Sequence, residues 1–285
     1  MKLKLAYSPC PNDTFIFHAM VHSLVDCEGL SFEVTLADVE NLNQGASRGE
    51  YDICKMSYHA YFHFSQQYIM LRSGSALGYN NGPLFVTSDA NSLLKEDGSI
   101  NTKLLATSNI AIPGELTTAA LLLKIIYPQI THTTPVIFSD IEKRVSSGQF
   151  AGGVLIHEGR FTYKQKGLKL IADLGEKWQQ ISQLPIPLGG IAVSRSLEEA
   201  LAQKINRVLH RSIKYAINNP VISKDYVCSY ARELDQEVIN KHIALFVNDF
   251  TLEIGSKGQE AVNYMFEKAV EYNLVRNRPS NLFIL

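Results

Sequence analysis

The stretch Gly152-Gly153-Val154-Leu155-Ile156-His157-Glu158-Gly159-Arg160-Phe161-Thr162-Tyr163 decides how this chain is read. Val154-Leu155-Ile156 is an apolar run with the length and composition of a short buried strand. It stops at a histidine, a carboxylate and a glycine. In α/β proteins, ligands bind where strands end at their carboxyl edge. A rigid element is therefore expected to deliver His157 to the lip of a cleft. Histidine is the side chain whose ordinary proton affinity suits proton transfer near neutral pH. A lone histidine is more often a core or surface residue, so the rest of the chain has to carry the argument.

Upstream, strand and helix patterns alternate. Lys2 to Tyr7 reads as a strand, Ser8-Pro9-Cys10-Pro11-Asn12-Asp13 as a turn, and Thr14 to Val25 as a helix. Leu30 to Leu36 is a strand pattern, Val39 to Ser47 a short helix, and Tyr51 to Lys55 another strand with a helix restarting at Met56-Ser57. Further on, Ile110 to Pro113 and Pro135 to Phe138 read as strands. Thr117 to Tyr127 and Ile141 to Ser147 read as helices, and Leu168 to Leu174 as extended. Beyond Leu197 the pattern is mostly helical, clearest over Leu197 to Asn218 and Gly258 to Tyr272. This alternation predicts an α/β protein with parallel or mixed sheets. Segments near Leu84 to Thr87 and Gly190 to Val193 read as strands crossing between two lobes. The expected division is residues 1–86 with 189–285 as a discontinuous large lobe and 87–188 as a small lobe. A hinge with a cleft between the lobes follows.

At 285 residues the chain is long for one core and suits two. Its net charge of −1, with no long basic run, leaves no footprint for nucleic acid. No apolar run approaches the roughly 20 residues that span a bilayer, so no membrane partner is expected. The N-terminus runs straight into a strand pattern without the apolar core of a signal peptide, which predicts a cytoplasmic location. Cys10, Cys27, Cys54 and Cys228 are scattered, with no C-x-x-C pair. Disulfides are not expected in a reducing compartment, and Cys10 reads as small apolar packing. His59 and His63 could share a helix face, but without a third ligand they make no metal site. Tyr58, Tyr61, Phe62 and Phe64 read as core. No phosphate loop, dinucleotide fingerprint or nucleophile elbow occurs.

Three strand-to-helix junctions share one chemistry. Pro9 to Thr14 opens the first helix with capping side chains, Lys55-Met56-Ser57 opens another with a serine, and Gly114 to Ala119 opens a third with two threonines. Helix N-termini favour anions, and Lys55 adds a full positive charge. Ordinary capping accounts for each junction singly. Lysine directly after a buried strand is harder to dismiss, because lysine is rarely placed there without a partner. Ser8, Asn12, Asp13, Lys55, Met56, Ser57, Thr117, Thr118 and Ala119 are therefore the candidate binding residues. A small-molecule carboxylate is the expected ligand.

Together, Ser8-Pro-Cys-Pro-Asn-Asp-Thr-Phe15, Lys55-Met-Ser57, Pro113-Gly-Glu-Leu-Thr-Thr-Ala119 and Ile156-His-Glu-Gly-Arg-Phe-Thr-Tyr163 carry a resemblance. Over nearly its whole length the chain resembles the 1,4-dihydroxy-6-naphthoate synthases of the futalosine route to menaquinone. The resemblance implies a two-lobe fold like that of the periplasmic binding proteins, used as a cytosolic lyase without a cofactor. It implies cyclic dehypoxanthine futalosine as substrate. It matches His157 to the family's proton acceptor, Lys55 to Ser57 to one substrate-binding segment, and Thr118-Ala119 to another. The roles of Glu158 and Arg160, the choice between Thr117 and Thr118, and the oligomeric state stay open at this level. The competing readings are chorismate dehydratase, against which the Ser-Pro-Cys-Pro-Asn-Asp opening argues, and a solute-binding protein that closes on its ligand without chemistry.

Overall fold

The computed structural model describes residues 1–90, 92–157, 159–231, 235–276 and 281–285. Glu158 and positions 277–280 lie outside the described residues. The chain opens with β1 (Lys2–Tyr7), α1 (Pro11–Val21), β2 (Ser31–Leu36), α2 (Val39–Ser47), β3 (Ile53–Ser57), α3 (Tyr58–Phe64), β4 (Tyr68–Met70) and β5 (Ala76–Gly78). It continues through β6 (Leu84–Thr87), α4 (Thr102–Thr107), β7 (Asn109–Ile112), α5 (Thr118–Ile126), β8 (His132–Pro135), α6 (Phe138–Ser146), β9 (Gly152–Leu155), α7 (Gly159–Thr162), β10 (Lys169–Asp173) and α8 (Leu174–Ser182). It closes with β11 (Ile186–Ser194), α9 (Glu199–Asn218), α10 (Lys224–Tyr230), α11 (Gln236–Phe246), α12 (Asp249–Leu252) and α13 (Gly255–Glu271).

Two compact units result. One comprises Met1–Gly78 and Pro187–Leu285, the other Tyr79–Ile186. In the first unit the strand order is β2-β1-β3-β11-β4, with β5 also pairing with β11. Strands β1, β2 and β3 run parallel, whereas β11 is antiparallel to β3 and β4. In the second the order is β10-β6-β9-β7-β8, with β7 parallel to β8 and β9, and β6 antiparallel to β9 and β10. The α/β reading with mixed sheets therefore holds. The two segments read as crossing strands behave differently. Leu84–Thr87 pairs with β9 and β10, and Gly190–Val193 is paired within the first unit's sheet. Each is an interior strand of its own sheet, which explains why each is buried along its length. The chain passes between units at residues 78–79 and 186–187.

The first unit's core is built on alternate positions of β1 and on α9. Leu3, Leu5 and Tyr7 project into it with Ala202, Ile205, Val208, Leu209, Ile213 and Ala216, which recur at helical spacing. A second core in the other unit joins Leu84, Val86 and Ala111 to Ile141 and Val145. Helix α6 reaches its sheet because β9 carries Gly153, where a Cβ would lie 2.5 Å from Ile141 Cγ2. The strand expected at Pro135–Phe138 lies earlier, at His132–Pro135. Phe138 already begins α6, whose apolar face fixes its register better than the short β-branched run before it. Among the described residues no helix is long and apolar enough to cross a membrane.

Candidate active site

In the first unit, parallel β1 and β3 end at one sheet edge. Their register pairs Leu5 with Ile53 and Ala6 with Cys54, so Ser8, Asn12 and Asp13 after β1 meet Lys55 and Ser57 at the end of β3. Strand ends collect functional groups here because the backbone stops pairing and turns toward a helix. Lys55 Nζ lies 2.8 Å from Asp13 Oδ1, with side-chain exposures of 9% and 2%. The other Asp13 oxygen accepts from Ser8 Oγ at 2.7 Å, and Asn12 Nδ2 donates to Oδ1 at 2.9 Å. Asn12 Oδ1 in turn meets His242 Nε2 of α11 at 2.9 Å. The positive charge expected at Lys55 is thus shared with a buried carboxylate, and the cluster as a whole is near neutral.

Neither helix start in this unit is capped as expected. The N-cap of α1 is Cys10, with no side-chain cap bond, and Pro11 follows at the first turn. Asp13 turns back to Ser8 and across to Lys55 instead. Ser57 occupies the N-cap position of α3 but makes no cap bond either. Asn43 of α2 takes it. Asn43 Oδ1 accepts the Ser57 backbone N–H at 3.0 Å, and Asn43 Nδ2 donates to Ser57 Oγ at 3.1 Å. A backbone N–H can only donate, so the amide orientation is fixed by its chemistry. Ser57 Oγ consequently acts as acceptor toward Asn43, and its own proton is left to serve an acceptor elsewhere. Met56, between these two residues, faces the core with no exposure. Burial, and secondarily the Asp13 charge, push the neighbouring Cys54 thiol up, which keeps it protonated. Cys10 is buried, in keeping with a packing role.

In the second unit, β7, β8 and β9 run parallel, with Ile110 opposite Gly152 and Ala111 opposite Gly153. Their carboxyl ends therefore bring three junctions to one edge: Thr117–Ala119 after β7, Phe138 after β8 and His157 after β9. Thr117 is a true N-cap. Its Oγ1 accepts from Ala120 N at 3.2 Å and donates to the Gly114 carbonyl at 2.7 Å. Thr118 and Ala119 form the first turn of α5 and are 3% exposed. Thr117 is thus committed to the backbone at the start of α5.

His157 is half-buried, two residues beyond β9, with a backbone φ of 54°. Left-handed backbone is uncommon for residues other than glycine, and it clusters at functional sites. The Phe138 ring meets the imidazole edge-on, with centroids 4.9 Å apart. Sequence reading placed His157 correctly at a strand end but missed Phe138, Asn43 and His242. Asn43 and Ser57 are fourteen positions apart, and no local pattern joins a helix interior to the next strand's end. The rings of His59 and His63 lie tilted to each other, with centroids 5.1 Å apart, one residue buried and the other exposed. Tyr58, Tyr61 and Phe62 are buried, and Phe64 is partly so.

Comparison with known proteins gives a consistent picture. The profile of the family described as "Menaquinone biosynthesis" matches residues 3–271. A Thermus thermophilus protein named 1,4-dihydroxy-6-naphthoate synthase is 39% identical over 282 residues, 99% of each chain. A Streptomyces coelicolor protein of the same name is 35% identical, covering 96% of this chain and 94% of its own. A crystal structure of an Archaeoglobus fulgidus protein superposes with a TM-score of 0.87 at 33% identity, covering 96% of this chain and 98% of that one. The ligand-binding component of an import system from Staphylococcus aureus has a TM-score of 0.71 at 13% identity, covering 100% of this chain and 96% of that one. At that identity the likeness shows the fold alone, one shared with the periplasmic binding proteins.

Proposed function

From the premise that this chain belongs to the menaquinone-biosynthesis family of enzymes, we propose that it is a carbon–carbon lyase forming 1,4-dihydroxy-6-naphthoate from cyclic dehypoxanthine futalosine. The observation that carries the reading is His157, held in left-handed backbone at the end of β9 beside the α5 helix start. The imidazole acts as a general base in its neutral form. It removes an activated proton from the sugar-derived fragment. The electron pair of the breaking carbon–carbon bond passes into the ring ketone as an enolate, and the fragment leaves as a carbonyl compound. The proton returns to the ring system, which becomes the aromatic dihydroxynaphthoate. Atoms and charge balance without an added oxidant. Aromatisation supplies much of the driving force, and a positioned base supplies roughly 10²–10⁴-fold.

Ser57 offers its hydroxyl proton to a substrate oxygen. Thr118 and the N-terminal turn of α5 favour an anionic or carbonyl oxygen. Lys55 and Asp13 hold the geometry of this edge, and Lys55 adds a charge-assisted contact to the carboxylate. The substrate partner is a small-molecule carboxylate, and the setting is the cytoplasm.

Incubation of the purified protein with the cyclic futalosine derivative, with chorismate and with neither separates the competing readings. Appearance of the naphthoate from the first alone is the expected result. His157→Asn keeps much of the side-chain volume and should bind substrate while turning it over at least roughly 10²-fold more slowly. Near-normal turnover by the folded variant would remove His157 as base.

A further inference from the structure

The turn carrying His157 has little local support of its own. Helix α7 is 4 residues long, too short to persist without tertiary contacts. The bond that closes the turn, Arg160 N–H to the His157 carbonyl, is long at 3.4 Å. We propose that Arg160 is a positioning residue for His157, one that fixes the imidazole for proton transfer by anchoring the turn from outside. The proposal rests on the reading of His157 as the base.

The Arg160 guanidinium is 17% exposed and reaches in two directions. Its Nη2 donates to Asp173 Oδ2 at 2.6 Å, and its Nη1 donates to the carbonyl oxygen of Gly82. Both anchors are themselves immobilised. Asp173 spends its other oxygen on the start of α8, accepting from Gly175 N at 2.9 Å and Glu176 N at 3.1 Å. Gly82 packs directly on the same helix start, where a Cβ would lie 2.3 Å from the Gly175 Cα. Leu174 N also donates to the Pro83 carbonyl at 2.9 Å. The far end of α7 is tied down separately, with Thr162 Oγ1 donating to Glu142 Oε1 at 3.1 Å.

The arrangement requires arginine. One planar fork satisfies a carboxylate and a carbonyl that lie apart, which a single ammonium cannot do at both sites with fixed angles. It also argues against Arg160 as a substrate contact, because two of its terminal N–H directions are already committed to protein oxygens. Loss of the fork would leave Asp173 still capping α8, so the fold of the unit should survive while the His157 turn drifts. Misplacement of a reacting group by about 1 Å can cost roughly 10²-fold in rate.

The test is steady-state kinetics of full-length Arg160→Ala, Arg160→Lys and His157→Asn on the cyclic futalosine derivative, with thermal melting alongside. The expected result is a kcat lowered by roughly 10–10²-fold in both Arg160 variants, with KM within about twofold of wild type. Lysine should fail to restore the rate. Unchanged kcat in a folded Arg160→Ala, with His157→Asn inactive, would overturn the positioning role and leave the base in place. A raised KM at constant kcat would also overturn it, because Arg160 would then be binding substrate. Full activity of His157→Asn would instead remove the base itself, whatever the Arg160 variants do. If Arg160→Ala does not fold, Arg160→Lys decides by the same criteria.

Discussion

Lys55 Nζ lies 2.8 Å from Asp13 Oδ1 in a pair almost wholly withdrawn from water. Desolvating two charges is costly, and the pair is retained only because its geometry and the bonds from Ser8 and Asn12 compensate. Removing one partner leaves the other buried and uncompensated. Lys55→Met and Asp13→Leu should each destabilise the protein by about 3–5 kcal/mol in urea titrations. The double variant should lose much less than the sum of the two. Additive losses would show that the two side chains act independently.

Asn43 makes a second prediction possible, because it fixes the direction of the Ser57 proton. In Asn43→Asp the carboxylate would still accept the Ser57 N–H but could not donate to Ser57 Oγ. The serine hydroxyl would then turn its proton inward and withhold it from the substrate. KM should rise by about tenfold, the equivalent of one hydrogen bond, with the far-ultraviolet circular dichroism unchanged. Asn43→Ala should instead cost about 1–3 kcal/mol of stability, since it strands a buried N–H. Wild-type KM in the aspartate variant would separate Ser57 from substrate binding.

The backbone at His157 makes a third. Asparagine tolerates left-handed φ, whereas a β-branched side chain does not. His157→Asn should therefore melt within a degree or two of wild type, and His157→Val should lose about 1–2 kcal/mol more. Equal stability of the two variants would mean that this turn relaxes into ordinary backbone in solution.

A fourth concerns pH. Burial, and then the neighbouring His22, hold the His18 imidazole below the ordinary histidine range. The His18 and His22 rings lie tilted to each other with centroids 4.6 Å apart, and the Tyr226 ring lies 5.2 Å from His18. A depressed histidine favours its neutral form in the fold. Its contribution to stability is complete above the unfolded-state value and is lost as pH falls through the folded one. Urea midpoints should therefore drop as pH falls below the usual histidine range, and His18→Gln should shrink that drop. An identical pH dependence in the variant would assign the acid sensitivity to other groups.

Much of the architecture was legible because local patterns match what the elements do. Helix α2 falls where the periodicity put it, and α9 nearly so, because their buried faces repeat at fixed intervals. Strand β3, buried at every position, runs on through Met56 and Ser57, where a helix was expected to restart. The Thr117 cap was readable for a local reason too: its partners lie three residues away on either side. Ser57 and Asp13 misled for the opposite reason. Both have residue types suited to capping, and both were claimed by partners distant in sequence, Asn43 and Lys55.

The sequence by itself determined the α/β class, the candidate groups at the strand ends and the family likeness, all properties of short contiguous stretches. Tertiary structure alone decided three further points. Leu84–Thr87 became an interior strand, since pairing depends on what lies alongside. Lys55 lost its expected bare charge to Asp13, because parallel pairing of β1 and β3 brings position 13 beside position 55. Arg160 was tied to Asp173 and Gly82, groups that folding brings beside it. A side chain's type sets which bonds it can form. Which of them it forms is set by the groups that chain folding brings within about 3 Å.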